Sequence, residues 1–274
     1  MKKNYLSLDG KVVVLTGAAG LLGQNYAEAI AAHGANLVLL DINKNTLEKL
    51  SKEISQKYSV KVMPYALDIT NEDKVKECAE EVQSVFKKID GLINNAANNP
   101  KVENNDIEFS RLENFLLDSW NKDIAVGLTG SFLCSKYFGS IISNTSKNGS
   151  IINISSDLGL IAPDQNLYKI EGLNDENQPV KPVTYSVVKT GIIGLTRYLS
   201  TYWAKKNVRC NALCPGGVEN GQNEDFLDLV SKKIPLNRLA KKDEYNSVIV
   251  WMLSDSASYL NGAVIPVDGG RTTW

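Results

Sequence analysis

Short apolar runs alternate with longer amphipathic stretches along the whole chain. The runs are "KVVVLTG" (11–17), "NLVLLD" (36–41), "VKVMPYALD" (60–68), "GLINNAA" (91–97), "GSIINISS" (149–156), "VRCNALCPG" (208–216) and "AVIPVDGG" (263–270). They are rich in Val, Ile and Leu, the mark of parallel strands buried on both faces. The stretches between them read as helices, over 21–34, 44–58, 71–88, 185–206, near 112–142 and near 243–253. In 71–88, Val75, Ala79, Val82 and Phe86 fall on one face. Strand and helix in alternation predict an α/β fold: a Rossmann-type, doubly wound parallel sheet with right-handed crossovers and helices on both faces. No composition break or internal repeat divides the chain, so 1–274 reads as a single domain. One segment breaks the rhythm. Residues 157–184 are polar, hold Pro163, Pro179 and Pro182, and show no period. A loop this long in a compact fold is usually functional.

The first strand runs into "TGAAGLLG", with glycines at Gly17, Gly20 and Gly23. Glycines between a strand and a helix permit a tight turn and close approach of backbone to a pyrophosphate. The free N–H groups of the helix start then face the anion. Asp41 ends the second strand, 24 residues after Gly17, near the roughly 20 that put an acid on the adenosine ribose. A carboxylate there repels a 2′-phosphate, and no Lys or Arg stands in the glycine loop to attract one. NAD is therefore expected over NADP.

Composition narrows the chemistry. At 43% hydrophobic content, 274 residues suffice for one large core. Thirty basic residues face 31 acidic ones with no long basic run, which argues against nucleic acid. No apolar stretch approaches the roughly 18 residues of a membrane span, and no apolar segment follows the N-terminal lysines. A soluble, cytoplasmic protein without a membrane partner is expected. Cys210 and Cys214 stand four apart on one strand. That is about 13 Å, beyond disulfide reach, so these and Cys78 and Cys134 are expected as free, buried thiols. The only histidine is His33, at a helix end just before Gly34. No metal site is expected, and proton transfer must use other groups.

"YSVVK" supplies a candidate. Tyr185 and Lys189 lie four apart, one turn along a helix face. A free phenol has a pKa near 10, and an adjacent ammonium favours the phenolate. The pair follows the fifth strand, whose end "NISS" brings hydroxyls. In doubly wound sheets ligands bind beyond the carboxyl ends of strands.

At this point the sequence resembles the short-chain dehydrogenases/reductases, in their single-domain branch, over nearly the whole chain. "TGAAGLLG", "LDIT", "NNAA", "NISS", "YSVVK", "CPGG" and the C-terminal "SDSASYLNGAVIPVDGG" each resemble a family motif. The resemblance implies Tyr185 as acid/base, Lys189 on the nicotinamide ribose and lowering the tyrosine pKa, and Ser156 on the reacting oxygen. It implies a cofactor lined by Gly17, Gly20, Leu22, Gly23, Asp41, Ile42, Asp68, Ile69, Asn95, Ala96, Pro215, Gly216 and Val218, besides Tyr185 and Lys189. It also implies a homotetramer or homodimer built on the two long helices.

Three departures stand out. The glycines fall three and six after the first, where this branch usually has four and six, and Leu21 takes the +4 place. The loop is still expected to cradle NAD. The family's asparagine in the long helix aligns with Gly127, so Asn98, Asn99 or another water path is expected in its stead. Ser156 and Tyr185 are 29 apart, about twice the usual spacing, which makes 157–184 an insertion at the active-site rim. "NNAANNPK", "IAPDQ", "VGLTG" and "CPGGVEN" resemble the flagellin-modification protein A subgroup, linked to nonulosonic, sialic-acid-like sugars. With Asn166, and with Asn98, Lys169 and Lys181 as candidate substrate contacts, a hydroxyl-rich or anionic sugar is expected. A 3-oxoacyl-carrier reductase and a non-catalytic NAD-binding scaffold are the alternatives.

Overall fold

The computed structural model describes residues 4–98 and 110–274. Seven strands form its sheet: β1 Val12–Thr16, β2 Asn36–Asp41, β3 Val62–Ala66, β4 Gly91–Asn94, β5 Gly149–Ile154, β6 Val208–Pro215 and β7 Val264–Val267. Their order is β3-β2-β1-β4-β5-β6-β7, and every pairing is parallel. The order reverses between β1 and β4, which opens a crevice beyond the strand ends there. The helices are α1 Leu21–Ala32, α2 Lys44–Lys57, α3 Glu72–Phe86, α4 over 117–145, α5 Val183–Tyr202, α6 Glu224–Ser231 and α7 Asn246–Leu253.

Side-chain alternation along each central strand feeds two cores. Val13 and Leu15 of β1, Leu37 and Leu39 of β2, and Ile152 of β5 meet Tyr26, Ile30, Leu47, Ile249 and Leu253 on one face. Val12, Val14, Val38, Leu40 and Ile151 meet Val75, Val82, Phe138, Ile142 and Trp203 on the other. Local signals set the helix starts. The side chains of Asn43, Asn71 and Asn223 accept the N–H groups of Thr46, Lys74 and Phe226. Such caps satisfy donors that the first turn leaves free. His33 ends α1, its Nδ1 2.8 Å from the Ala29 carbonyl oxygen. All four cysteines are free and buried.

The structure departs from the sequence pattern in four places. β3 and β7 are the sheet edges and are partly exposed, not buried on both faces. An edge also tolerates Pro64. The helix expected near 112–142 begins at 117 and widens to π geometry over Ala125–Gly130 and Ser135–Gly139. The insertion contains three single turns, Asp157–Gly159, Gln165–Tyr168 and Asp175–Asn177, and α5 starts at Val183, before Tyr185. Helix α6 was not expected at all. Its eight residues are too short for a clear period. Phe226, Leu227 and Val230 pack it onto Leu167 and Tyr168 of the insertion and onto Ile234 and Leu239.

Two glycines of the first loop are dictated by space. Gly17 has φ +64°, and a Cβ there would stand 2.8 Å from Ala96 Cα. A Cβ on Gly23 would lie 2.1 Å from the Gly17 carbonyl oxygen. Gly23→Ala must push α1 away from β1. The expected result is a lower urea midpoint at unchanged m value, a loss of about 1–3 kcal/mol as for other overpacked sites. A midpoint equal to that of the unaltered protein would show the loop to be more yielding than this geometry allows.

Candidate active site

One cleft of about 1240 Å3 runs across the carboxyl ends of the strands. Apart from Asn166, it is lined by every described residue that the sequence reading assigned to cofactor, catalysis or substrate. At one end lies the glycine loop. Gly20 is the N-cap of α1 and makes no side-chain cap, so the helix start faces the cleft with its own N–H groups. A Cβ on Gly20 would meet only the Gly17 oxygen, at 3.2 Å. Asn95 Nδ2 donates to the carbonyl oxygens of Thr16 and Gly17 at 3.0 and 3.1 Å, pinning the loop to the end of β4. The Asn95 and Ala96 N–H groups both donate to Thr16 Oγ1 at 3.0 Å.

Asp41 closes this end. Its Oδ2 accepts the Ala19 N–H at 3.0 Å and its Oδ1 the Asn43 N–H at 2.9 Å. The carboxylate thus braces the glycine loop while lining the cleft. Ile42 is exposed beside it, and Asp68 accepts from the Thr70 N–H and hydroxyl at 2.8 Å. Ile69 is buried at the cleft wall. Tyr245 donates to the Gly216 carbonyl oxygen at 3.0 Å, holding the turn after Pro215, and Val218 bridges to Ala240.

The other end gathers the hydroxyl and amine groups. Lys189 is buried and donates Nζ to the Ile154 carbonyl oxygen at 3.0 Å. Ser155 Oγ donates to the Lys189 carbonyl oxygen at 2.7 Å. Tyr185 stands one turn before Lys189, its ring centre 5.8 Å from that ammonium and 4.0 Å from the Lys181 ammonium. Burial pushes both lysines down to about 8. The Tyr185 phenol is raised above its ordinary value, by burial first and by the Asp157 charge besides. The expectation that Lys189 brings the tyrosine down is therefore not met here: desolvation prevails.

The polar residues of the insertion divide. Lys169 lines the cleft at its exposed rim, 3.7 Å from Asp175. Asn166 is exposed and donates to Asp164 within its own turn. Leu158 and Leu167 are buried, whereas Leu160 is exposed. At Gly127, where the family's asparagine aligns, no side chain fits, since a Cβ there would lie 2.3 Å from Val188 Cγ1. Beside it lies a cavity of about 10 Å3, bounded by Asn98, Asp123, Thr184, Tyr185 and Lys189, close to the minimum for one water. Asp123 accepts from Thr184 Oγ1 at 2.5 Å and from Asn98 Nδ2 at 3.3 Å. Asn99 lies outside the described residues.

Sequence reasoning missed Asp157 and Arg271, a buried ion pair at 2.9 Å that also lines the cleft. They are 114 residues apart, and no local motif joins them. It also missed the wall that Phe226, Leu229 and Val230 of α6 supply opposite Tyr168.

A family model described as short chain dehydrogenase matches residues 11–168, and one described as enoyl-(acyl carrier protein) reductase matches 175–272. The 3-oxoacyl-acyl-carrier-protein reductase FabG of Thermotoga maritima is 32% identical, covering 97% of this chain and 99% of its own. The NADP-dependent mannitol dehydrogenase of Alternaria alternata is also 32% identical, over 98% of this chain and 94% of its own. The structure of an NAD+-bound xylitol dehydrogenase superposes with a TM-score of 0.83 at 25% identity, covering 98% of this chain and all of that one.

The depressed Lys189 yields a test of burial. Its ordinary value is 10.5 and its folded value about 8. Below about pH 8 the folded state carries the cost of a buried charge. As pH rises from 8 to 10.5 the folded amine has lost its proton while the unfolded one keeps it, so this group adds stability across that window. The four buried thiols act in the opposite sense but are common to both proteins compared. The stability of the unaltered protein minus that of Lys189→Met should therefore grow by up to about 3 kcal/mol between pH 8 and 10.5, read from urea unfolding. A flat difference would mean that Lys189 is not desolvated.

Proposed function

We propose that this chain, which belongs to the short-chain dehydrogenase/reductase family and is an oxidoreductase of that family, interconverts a secondary alcohol and a ketone on a hydroxyl-rich, sugar-like molecule with NAD. The observation that carries the reading is the meeting of Ser156, Tyr185 and Lys189 in the same cleft as the glycine loop and Asp41. The residues fit a dinucleotide. Gly17 and Gly23 leave no room for a Cβ, Gly20 opens toward the cleft, and the start of α1 has no side-chain cap of its own.

When bound, the nicotinamide supplies or accepts the hydride. The chain's own residues do the rest. Tyr185 moves the proton at the substrate oxygen. Ser156, fixed at the end of β5, hydrogen-bonds that oxygen. Lys189 spends one N–H on Ile154, and its remaining N–H groups would hold the nicotinamide ribose. An ammonium favours a phenolate beside it, but burial outweighs it at Tyr185 in the open cleft. Asp41, at the end of β2, would set its carboxylate against a 2′-phosphate, which supports NAD. Relatives of both habits exist, since the mannitol dehydrogenase is named NADP-dependent and the xylitol dehydrogenase carries NAD+.

The polar wall favours a sugar-like substrate: Asn98, Ser156, Asp157, Tyr168, Lys181 and Arg271 all line the cleft. An acyl thioester is the second reading, favoured by the Thermotoga maritima relative's name. A nonulosonic sugar of the flagellin-modification kind is the narrower version of the first, and rests on sequence resemblance alone. A homodimer or homotetramer on α4 and α5 is supported by exposed Phe132, Tyr198 and Tyr202 on those helices.

Turnover of xylitol, mannitol and their ketoses, of activated sugars and of acyl thioesters, with either cofactor, tests the reading. Tyr185→Phe should keep the fold and NADH binding and lose at least about 100-fold in kcat, the lower range for acid–base catalysis. Asp41→Ser combined with Ile42→Arg should move kcat/KM toward NADP. Near-normal turnover by Tyr185→Phe removes the tyrosine from the chemistry, and an unaltered protein that prefers NADP(H) overturns the role given to Asp41.

A further inference from the structure

Ser156 is not a free hydroxyl. Its Oγ lies 2.7 Å from Asp157 Oδ1, and Asp157 Oδ2 lies 2.9 Å from Arg271 NH1. Asp157 is 3% exposed and Arg271 9%. The guanidinium arrives from the turn Arg271–Thr273, which follows β7. The Gly270 and Thr272 N–H groups fix that turn by donating to Asp268 at 2.9 and 2.8 Å. The Leu158 N–H donates to Asp157 Oδ1 at 2.8 Å, so both carboxylate oxygens are engaged.

A carboxylate paired with a guanidinium only accepts hydrogen bonds. The proton between Asp157 and Ser156 must therefore come from the serine, which has just one. With that proton committed, Ser156 Oγ can only accept toward Tyr185 and the open cleft. An alcohol brings its own donor to such a site. A ketone brings only an acceptor. To receive the Ser156 proton it must take it from Asp157, leaving the buried Oδ1 with the Leu158 N–H as its one donor and one hydrogen bond fewer.

We propose that Asp157, locked by Arg271, directs the Ser156 hydroxyl proton and thereby makes the site discriminate between the alcohol and the ketone form of its substrate. Asp157 is a positioning residue acting through Ser156, and Arg271 acts through Asp157. The inference rests on the dehydrogenase reading for its kinetic consequence but not for its geometry. Among the described residues, Lys181, Lys189, Tyr168, Cys214, Tyr245 and Arg271 are the other charged or titratable groups around Tyr185 and Asp157.

Two measurements on the full chain test it. The first is the ratio of KM for ketone to KM for alcohol, with xylitol and xylulose or mannitol and fructose as probes. Asp157→Asn should lower that ratio about tenfold, the worth of one hydrogen bond no longer lost. The double variant Asp157→Asn with Arg271→Met removes the unpaired buried guanidinium and should show the same change if the single variant folds poorly. The second measurement needs no substrate. The near-ultraviolet titration of Tyr185, taken as the difference from Tyr185→Phe, should move down in Asp157→Asn, because Ser156 is released to donate to the phenolate. The same substitution made in a Ser156→Ala background should move it much less. An unchanged ratio in proteins that turn over the pair overturns the proposal, as does an equal titration shift with and without Ser156. If the unaltered protein turns over neither pair, the dehydrogenase reading has failed for these substrates, and the titration still decides whether Asp157 acts through Ser156.

Discussion

Two hydrogen bonds at the end of β5 carry the site. Lys189 reaches back to the Ile154 carbonyl oxygen, and Ser155 reaches forward to the Lys189 carbonyl oxygen. Together they clasp the second turn of α5 to the last residues of a strand buried throughout. A Cβ on Gly159 would stand 2.5 Å from Ser155 Oγ and 2.8 Å from the Lys189 oxygen, so the chain leaves Ser156 pressed against the same clasp. Tyr185 precedes the clasp by one turn and Ser156 follows it by one residue. Their meeting is therefore independent of the 28 residues inserted between them. Both sides of the clasp are buried, where an unmade hydrogen bond is costly, and this makes the arrangement rigid.

The sheet and the cleft were legible because their causes are local. Continuous apolar runs specified the strands, the amphipathic stretches between them specified most of the helices, and Gly17 and Gly23 announced a tight turn. What stayed hidden depends on partners far along the chain. Arg271 reads as an ordinary polar residue near a strand end until Asp157 is seen beside it. Helix α6 is short, and its apolar residues matter only against Leu167 and Tyr168. The state of Tyr185 was misjudged because the sequence shows its ammonium neighbour but not how far the ring is withdrawn from water.

Gly127 shows a middle case. Sequence comparison marked it as a departure, yet offered no cause. The cause is steric: α4 and α5 approach so closely that Val188 occupies the space of any side chain. The π-widened turn in which Gly127 sits is a geometry that often accompanies function. Asp123, one turn earlier, and Thr184, one residue before Tyr185, supply polar groups at the small cavity that remains.

The insertion and α6 meet through an apolar cluster of their own, separate from the two that flank the sheet. Asp164 and Lys233 add an ion pair at 3.0 Å across the same contact. The two walls over the cleft are thus joined to each other as well as to the body of the protein. Walls joined in this way share their mobility, since local opening in proteins follows contiguous cooperative units. The rate at which product leaves then becomes adjustable by substitutions at Leu167, Val230 or Leu239 without loosening the fold beneath. In enzymes where release limits turnover, such a cluster is where speed and selectivity are tuned separately from chemistry.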